Sequence, residues 1–270
     1  MDKQPISERM AMIDFYGMGS PNVLKVAIML EEAGLEYRTH HVRVLNGENM
    51  DPAFLKMNPI AKVPVIVDHA GLGEKQPLFE SGAILMYLAE TYAPEFFPAK
   101  GYERWEILKW LMVQMSLVGP MLGQVNHFHL IPSEAEGYAA GRYRDQAARA
   151  YRNIDDRLKI MPFIGGESYS IADIAVHPWM GYVVRHGLDE ADFPHLIAWR
   201  DMLDERPAMK RGAAAIAEMV SKVPKAAAPP TDDELDTFFA RRAPGPKVDL
   251  VSYLERGPMF TAKADKNARD

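Results

Sequence analysis

The run Asn58-Pro59-Ile60-Ala61-Lys62-Val63-Pro64-Val65-Ile66 is where the architecture first declares itself. A proline opens a β-branched stretch that continues to Asp68, and a proline at the first position of a strand is ordinary. If the Val63-Pro64 bond is cis, however, Val63 is turned outward with its backbone N–H and C=O free. A bound peptide can then pair with Val63 as a short antiparallel strand.

Working outward from that run, residues 12–16 read as a strand, and 21–33 carry a helical pattern of Val23, Val26, Ala27 and Leu30 stopped by Gly34. Residues 35–44 alternate well enough for a second strand, which completes a βαβ unit. Residues 51–57 supply one or two helical turns, 77–79 a short strand, and 81–92 a helix with Ile84, Leu85 and Leu88. After Pro98 the strand signals stop. Helical segments are expected at about 102–128, 135–160, 171–186, 193–205 and 208–221, with kinks at Pro120 and Pro178. Ser170 and Asp173 have capping-box spacing, with Tyr169 and Ile174 as the staple pair.

The expected organisation is therefore a flexible leader at 1–11, an α/β domain at 12–92, a linker at 93–101, an all-α bundle at 102–222 and a C-terminal extension at 223–270. Within the extension, 231–242 reads as a short helix capped by Thr231 and Glu234, with Leu235, Phe238 and Phe239 on one face. A homodimer with this tail folded over a cleft is expected from those apolar residues.

Composition narrows the chemistry. The 270 residues are 48% apolar and 25% charged with a formal net charge of -6, which gives no global attraction to nucleic acid or an anionic membrane. No stretch approaches the roughly 20 apolar residues that span a bilayer, and the N-terminus lacks an apolar signal core, so the cytoplasm is the expected location. There is no cysteine, which removes disulfides, thiolate metal sites and any sulfur nucleophile carried by the protein. Thiol chemistry here needs a borrowed thiol.

Three places offer chemistry. Gly17-Met18-Gly19-Ser20-Pro21-Asn22 starts like a dinucleotide loop but has Asn22 where the third glycine belongs, and the second strand ends in Val42-Arg43-Val44 without an acid. What remains is Ser20 as helix cap, Pro21 at the first helical position and Asn22 beside it; a helix N-terminus with these donors favours a thiolate over a thiol. Glu80-Ser81-Gly82 opens the next helix. Ser81 can serve as a plain N-cap, or its hydroxyl and the helix start can hold a carboxylate while Glu80 takes an adjacent ammonium. His127 and His129 point apart on a helix, His40 and His41 alternate across a strand, and no His-Glu-x-x-His occurs, so no metal is expected. Trp110, Met112 and Met115 read as core, whereas Met18, Met121, Gln124 and Phe128 can line an apolar pocket for a second substrate.

With Ser20-Pro21-Asn22, 58–64, 80–84 and 170–173 falling in this order and spacing, the chain resembles a cytosolic glutathione transferase over residues 12–222. Gly119 to Phe128 and Phe163-Ile164-Gly165-Gly166-Glu167 resemble the bacterial Nu-class subgroup, related to the fungal nitrogen-regulator branch. The resemblance implies a thioredoxin-like first domain, a helical second domain, glutathione as cosubstrate and a homodimer. It implies that Ser20, where relatives have Thr, and Asn22 contact the glutathione sulfur. Val63 and Pro64 would meet the cysteinyl backbone, Asn49 and Lys62 the glycyl end, Glu80 and Ser81 the γ-glutamyl group, and Arg142 would reach across the dimer. Some classes use a tyrosine from the first strand, but Gly17 and Ser20 fit the serine pattern and Tyr16 reads as packing. The electrophile stays open between a disulfide and an aromatic carbon or aryl ether. A non-catalytic regulatory protein on the same fold is the alternative of another kind.

Overall fold

The computed structural model describes residues 13–71, 76–130 and 137–222, together with 231, 233, 234 and 236. The expected leader lies outside the described residues, as do Leu235, Phe238 and Phe239. Strand β1 (Ile13–Gly17) leads to α1 (Pro21–Glu32), β2 (Tyr37–His41), α2 (Pro52–Met57), β3 (Val65–Asp68), β4 (Pro77–Phe79) and α3 (Ser81–Tyr92). The helix α1 starts where it does because the Ser20 hydroxyl accepts the Val23 N–H at 3.4 Å and Pro21 occupies the first position, which needs no donor.

The sheet runs β2-β1-β3-β4. β1 and β2 are parallel with Phe15 opposite Thr39; β3 is antiparallel to β1 with Phe15 opposite Ile66, and β4 is antiparallel to β3. This is the thioredoxin-like arrangement expected above. β2 is shorter than the expected 35–44: the Leu35 N–H returns to the Leu30 carbonyl, and Val44 already begins a 3-10 turn. Alternation along β1 sends Ile13 and Phe15 into the core beneath α1 and α3. On the other face α2 closes a smaller cluster of Val42, Val44, Phe54 and Val65.

The rest is helical: α4 (Tyr102–Val113), a π-helical turn (Gln114–Val118), α5 (Gly119–Leu130), α6 (Tyr138–Leu158), α7 (Ile171–Val176), α8 (Pro194–Asp204) and α9 (Pro207–Ser221). Pro120 cannot donate to the carbonyl four residues earlier, and the wider turn falls just before it, where a kink was expected. Pro178 acts similarly. The expected helix 171–186 is instead α7 followed by 3-10 turns at His177–Tyr182 and Val184–His186. The Ser170/Asp173 capping box forms, and Asp173 also accepts from the Ile164 N–H and the Trp199 indole. Met112, expected in the core, is 45% exposed, while Met115 packs inward.

α1 is buried on both sides. Val23 and Val26 to Leu30 belong to one continuous core that also contains Ile66 from the sheet and Leu111, Ile174 and Met219 from the helical half. Gly212 of α9 makes this close: a Cβ there would lie 3.0 Å from the Ile28 nitrogen. Among the described residues no helix is long and apolar enough to cross a membrane.

Candidate active site

The end of β1, the turn before β3 and the start of α3 are positioned by the sheet order, since β1 and β3 are neighbours and β4 feeds α3 directly. At the first of these, Asn22 is half-buried and its Oδ1 accepts the Trp179 Nε1–H at 3.2 Å. The indole takes one lone pair of the amide oxygen, and among the described residues both Nδ2 hydrogens are uncommitted at the head of α1. Trp179 comes from the 3-10 turn after α7, and Gly119 and Gly123 of α5 lie against its ring. Sequence reading missed Trp179; its only signal was a buried-type aromatic next to a helix-ending proline.

At the second, the Val63-Pro64 bond is cis. Asn58 braces the turn, its Nδ2 donating to the Lys62 carbonyl at 2.7 Å and its Oδ1 accepting the Ile60 N–H at 3.0 Å. Among the described residues neither the N–H nor the C=O of Val63 is committed to a hydrogen bond, and β3 pairing begins only at Val65. Asn49 is buried; its Nδ2 donates to the Ala61 carbonyl at 2.8 Å, and its Oδ1 has no partner among the described residues. Asn49 and Lys62 share a cavity of about 270 Å³ with Met50, Ile60 and Glu234. Glu234 forms the capping box expected with Thr231, which holds its carboxyl below the ordinary range.

At the third, the helix cap is not Ser81, as the plain N-cap reading had it. Glu80 takes the cap position with φ +71, a left-handed conformation unusual for a side-chain-bearing residue, and its carbonyl receives the Ile84 N–H. Ser81 is the first helical residue, buried at 3% exposure, and its hydroxyl accepts from Lys25 Nζ at 3.4 Å. Lys25 is a second residue missed in the sequence. Its signal was a lone charge inside Val23-Leu24-Lys25-Val26-Ala27.

Ser20, Asn22, Lys62, Val63, Pro64, Glu80 and Ser81 thus lie on these three segments, and Asn49, from the 3-10 turn Glu48–Met50, is tied to the second through Ala61. Among the described residues these segments offer a free backbone edge at Val63, an unpaired buried amide oxygen at Asn49, and a helix N-terminus with a hydroxyl at Ser81. Arg142 is exposed on α6 and lines a separate cavity with Tyr138, Asp145 and Arg149, which none of these residues shares. Met18 packs between both apolar clusters, Met121 is half-buried and Gln124 exposed. Phe128 stacks on Tyr143 at 5.7 Å. Tyr16 stacks on His40 at 4.5 Å, and burial raises its phenol, as suits packing. Among the described residues no group of three or more His, Asp or Glu could hold a metal ion.

A β2-β1-β3-β4 sheet of this topology followed by an all-helical half is the architecture of the glutathione transferases. Residues 10–90 match the family model described as the glutathione S-transferase N-terminal domain, and 120–207 match that of its C-terminal domain. The chain belongs to the glutathione S-transferase family. It is 43% identical over 199 residues to the disulfide-bond oxidoreductase YfcG of Escherichia coli, covering 73% of this chain and 92% of that protein. A crystallised glutathione transferase family member from Pseudomonas fluorescens, with two glutathione bound, superposes with a TM-score of 0.69 at 38% identity, covering 75% of this chain and 92% of the other. Protein URE2 of Candida albicans is 30% identical over 235 residues, 73% of this chain and 68% of that one. Within the family the chain groups with the bacterial Nu class, related to the fungal URE2 branch.

Proposed function

We propose that the protein is a cytosolic glutathione-dependent disulfide reductase that activates a borrowed thiol at the head of α1. The observation that carries this reading is the Asn22 amide, whose oxygen accepts from Trp179 and whose N–H groups, uncommitted among the described residues, can donate to a sulfur. Together with the helix N-terminus capped by Ser20, they favour thiolate over thiol. A free thiol with pKa of about 8.5 is only a few per cent ionised at pH 7, so even a modest downward shift raises the nucleophile severalfold.

The first glutathione thiolate attacks one sulfur of the substrate disulfide, forms a mixed disulfide and releases one thiolate. A second glutathione thiolate attacks the glutathione sulfur of that mixed disulfide, giving oxidised glutathione and the second substrate thiolate. Two glutathiones are oxidised for each disulfide reduced, and the two protons they lose end on the released thiols. With no cysteine in the chain, the protein itself forms no covalent bond in either step. In this reading Val63 pairs with the cysteinyl backbone, Asn49 and Lys62 hold the glycyl end, and Glu80 and Ser81 hold the γ-glutamyl group. Met18, Met121, Gln124 and Phe128 border the second substrate.

The test is turnover of a small disulfide, a chloroaromatic electrophile and a β-aryl ether with glutathione present. Disulfide turnover well above the other two is expected. Faster carbon attack would reassign the reaction, and glutathione binding without any turnover would favour the regulatory alternative. The reading includes a homodimer in which Arg142, exposed in its own chain, serves the partner's cleft. Sedimentation at a monomer mass, or full activity of Arg142→Ala, would remove that part.

A further inference from the structure

Lys25 is the only lysine or arginine classed as buried among the described residues, with no exposure. Its ammonium has three close partners, all neutral: Gln114 Oε1 at 2.6 Å, Ser81 Oγ at 3.4 Å and Met115 Sδ at 3.9 Å. A buried charge lacking a hydrogen-bonded counter-ion is unfavourable, so such a group persists where something else uses it. The surroundings are built for it. Gln114 and Met115 open the π-helical turn, a local widening that recurs at functional sites. Gly119 and Gly82 admit these two side chains: a Cβ at 119 would lie 3.0 Å from Gln114 Nε2, and one at 82 would lie 3.1 Å from Met115 Sδ.

We propose that Lys25 is a positioning residue for glutathione, whose buried ammonium acts through the Ser81 hydroxyl as counter-charge to the γ-glutamyl α-carboxylate. This rests on the glutathione reading above. A charged ammonium donates and cannot accept, so when Lys25 is protonated Ser81 Oγ accepts its hydrogen bond and turns its own hydrogen elsewhere. Within the chain that hydrogen goes to Met115 Sδ at 3.8 Å, a weak acceptor, and a carboxylate oxygen at the start of α3 is a far stronger one. The ligand's neighbouring α-ammonium then faces Glu80. Lys25 and Glu80 form a pair of opposite sign matched to a carbon that carries both charges, which selects an amino-acid terminus over a simple acid or amine.

The arrangement makes binding depend on pH. Burial pulls the Lys25 ammonium down to about 7, and the Glu80 charge acts in the opposite direction. Ser81, Gln114 and Met115, which face it from α3 and the π turn, do not titrate in this range. An arriving carboxylate favours the charged lysine, so binding above pH 7 takes up a proton.

Calorimetry with S-methylglutathione, which has no free thiol, in phosphate and Tris at pH 7.5 tests this without a variant. Net proton uptake is expected, with affinity falling roughly tenfold between pH 6.5 and 8.5. In Lys25→Met, binding should weaken by about tenfold and lose its pH dependence, while the melting temperature holds or rises. Wild type should prefer S-methylglutathione to its analogue lacking the α-carboxylate, S-methyl-(4-aminobutyryl)-cysteinylglycine, by about tenfold, and Lys25→Met should not. Absence of proton uptake in wild type, or an unchanged preference in Lys25→Met, overturns the assignment of Lys25 alone. Failure of wild type to bind S-methylglutathione overturns the glutathione reading and this one with it.

Discussion

Asn22 is oriented by a side chain 157 residues further along the chain, and that bond is worth testing from both ends. Asn22→Ala is expected to lower disulfide turnover by more than roughly tenfold, since it removes the sulfur's side-chain donors and little packing. Trp179→Phe keeps an aromatic ring against Gly119 and Gly123 and removes only the indole N–H. A neutral hydrogen bond contributes about 0.5–1.5 kcal/mol, so turnover should fall by up to about tenfold. Melting curves should move little in Asn22→Ala. Wild-type activity in both variants would dissociate the sulfur from this amide. At this scale the sequence was legible where a residue acts through its neighbours in the chain. Ser20 as cap, the Ser170/Asp173 box and the Thr231/Glu234 box all read correctly, because each is settled within four residues. Trp179 and Lys25 were not legible, because each takes its meaning from partners more than fifty residues away.

Elements were legible through their periods. The βαβ start and the helical second half follow from alternation and 3.6-residue spacing, and both appear in the expected order. Two details escaped. Ser81 looked like a cap because serine before a helical run usually is one, whereas the strained Glu80 at φ +71 takes that position and frees Ser81 to point inward. The segment after α7 looked continuous because its residues are apolar, but Pro178 denies it the α-helical ladder and tight turns take over. The contact between α1 and α9 also has a specific vulnerability. Gly212→Ala drives a methyl to within 3.0 Å of the Ile28 backbone, which cannot yield as a side-chain tip would. A loss of about 1–3 kcal/mol is expected from such overpacking, or very roughly 2–10 °C in melting temperature. An unchanged melting temperature would show that α9 shifts without penalty.

For the molecule as a whole, the buried lysine gives unliganded stability an unusual slope. The Lys25 ammonium is held at about 7 in the fold against about 10.4 when unfolded. Between those values the unfolded chain binds more protons, so stability rises with pH, by up to about 1.4 kcal/mol per unit. Urea titrations of ligand-free protein at pH 7, 8 and 9 should show that rise, and Lys25→Met should flatten it. The window closes near pH 10, where Tyr37 and Tyr151, raised by burial, begin to favour the unfolded chain. A flat profile in wild type would mean that Lys25 keeps its ordinary basicity. The single core around α1 carries a further lesson, about inheritance. The helix headed by Ser20 and Asn22 is also wedged between the sheet and α7 and α9, so its outward side is as apolar as its inward side. A sheet half grafted onto a relative's helical half would bring Ile28 against a surface not shaped for it. On this packing the two halves matched by separate family models are expected to pass between lineages together, as the whole body from β1 to α9.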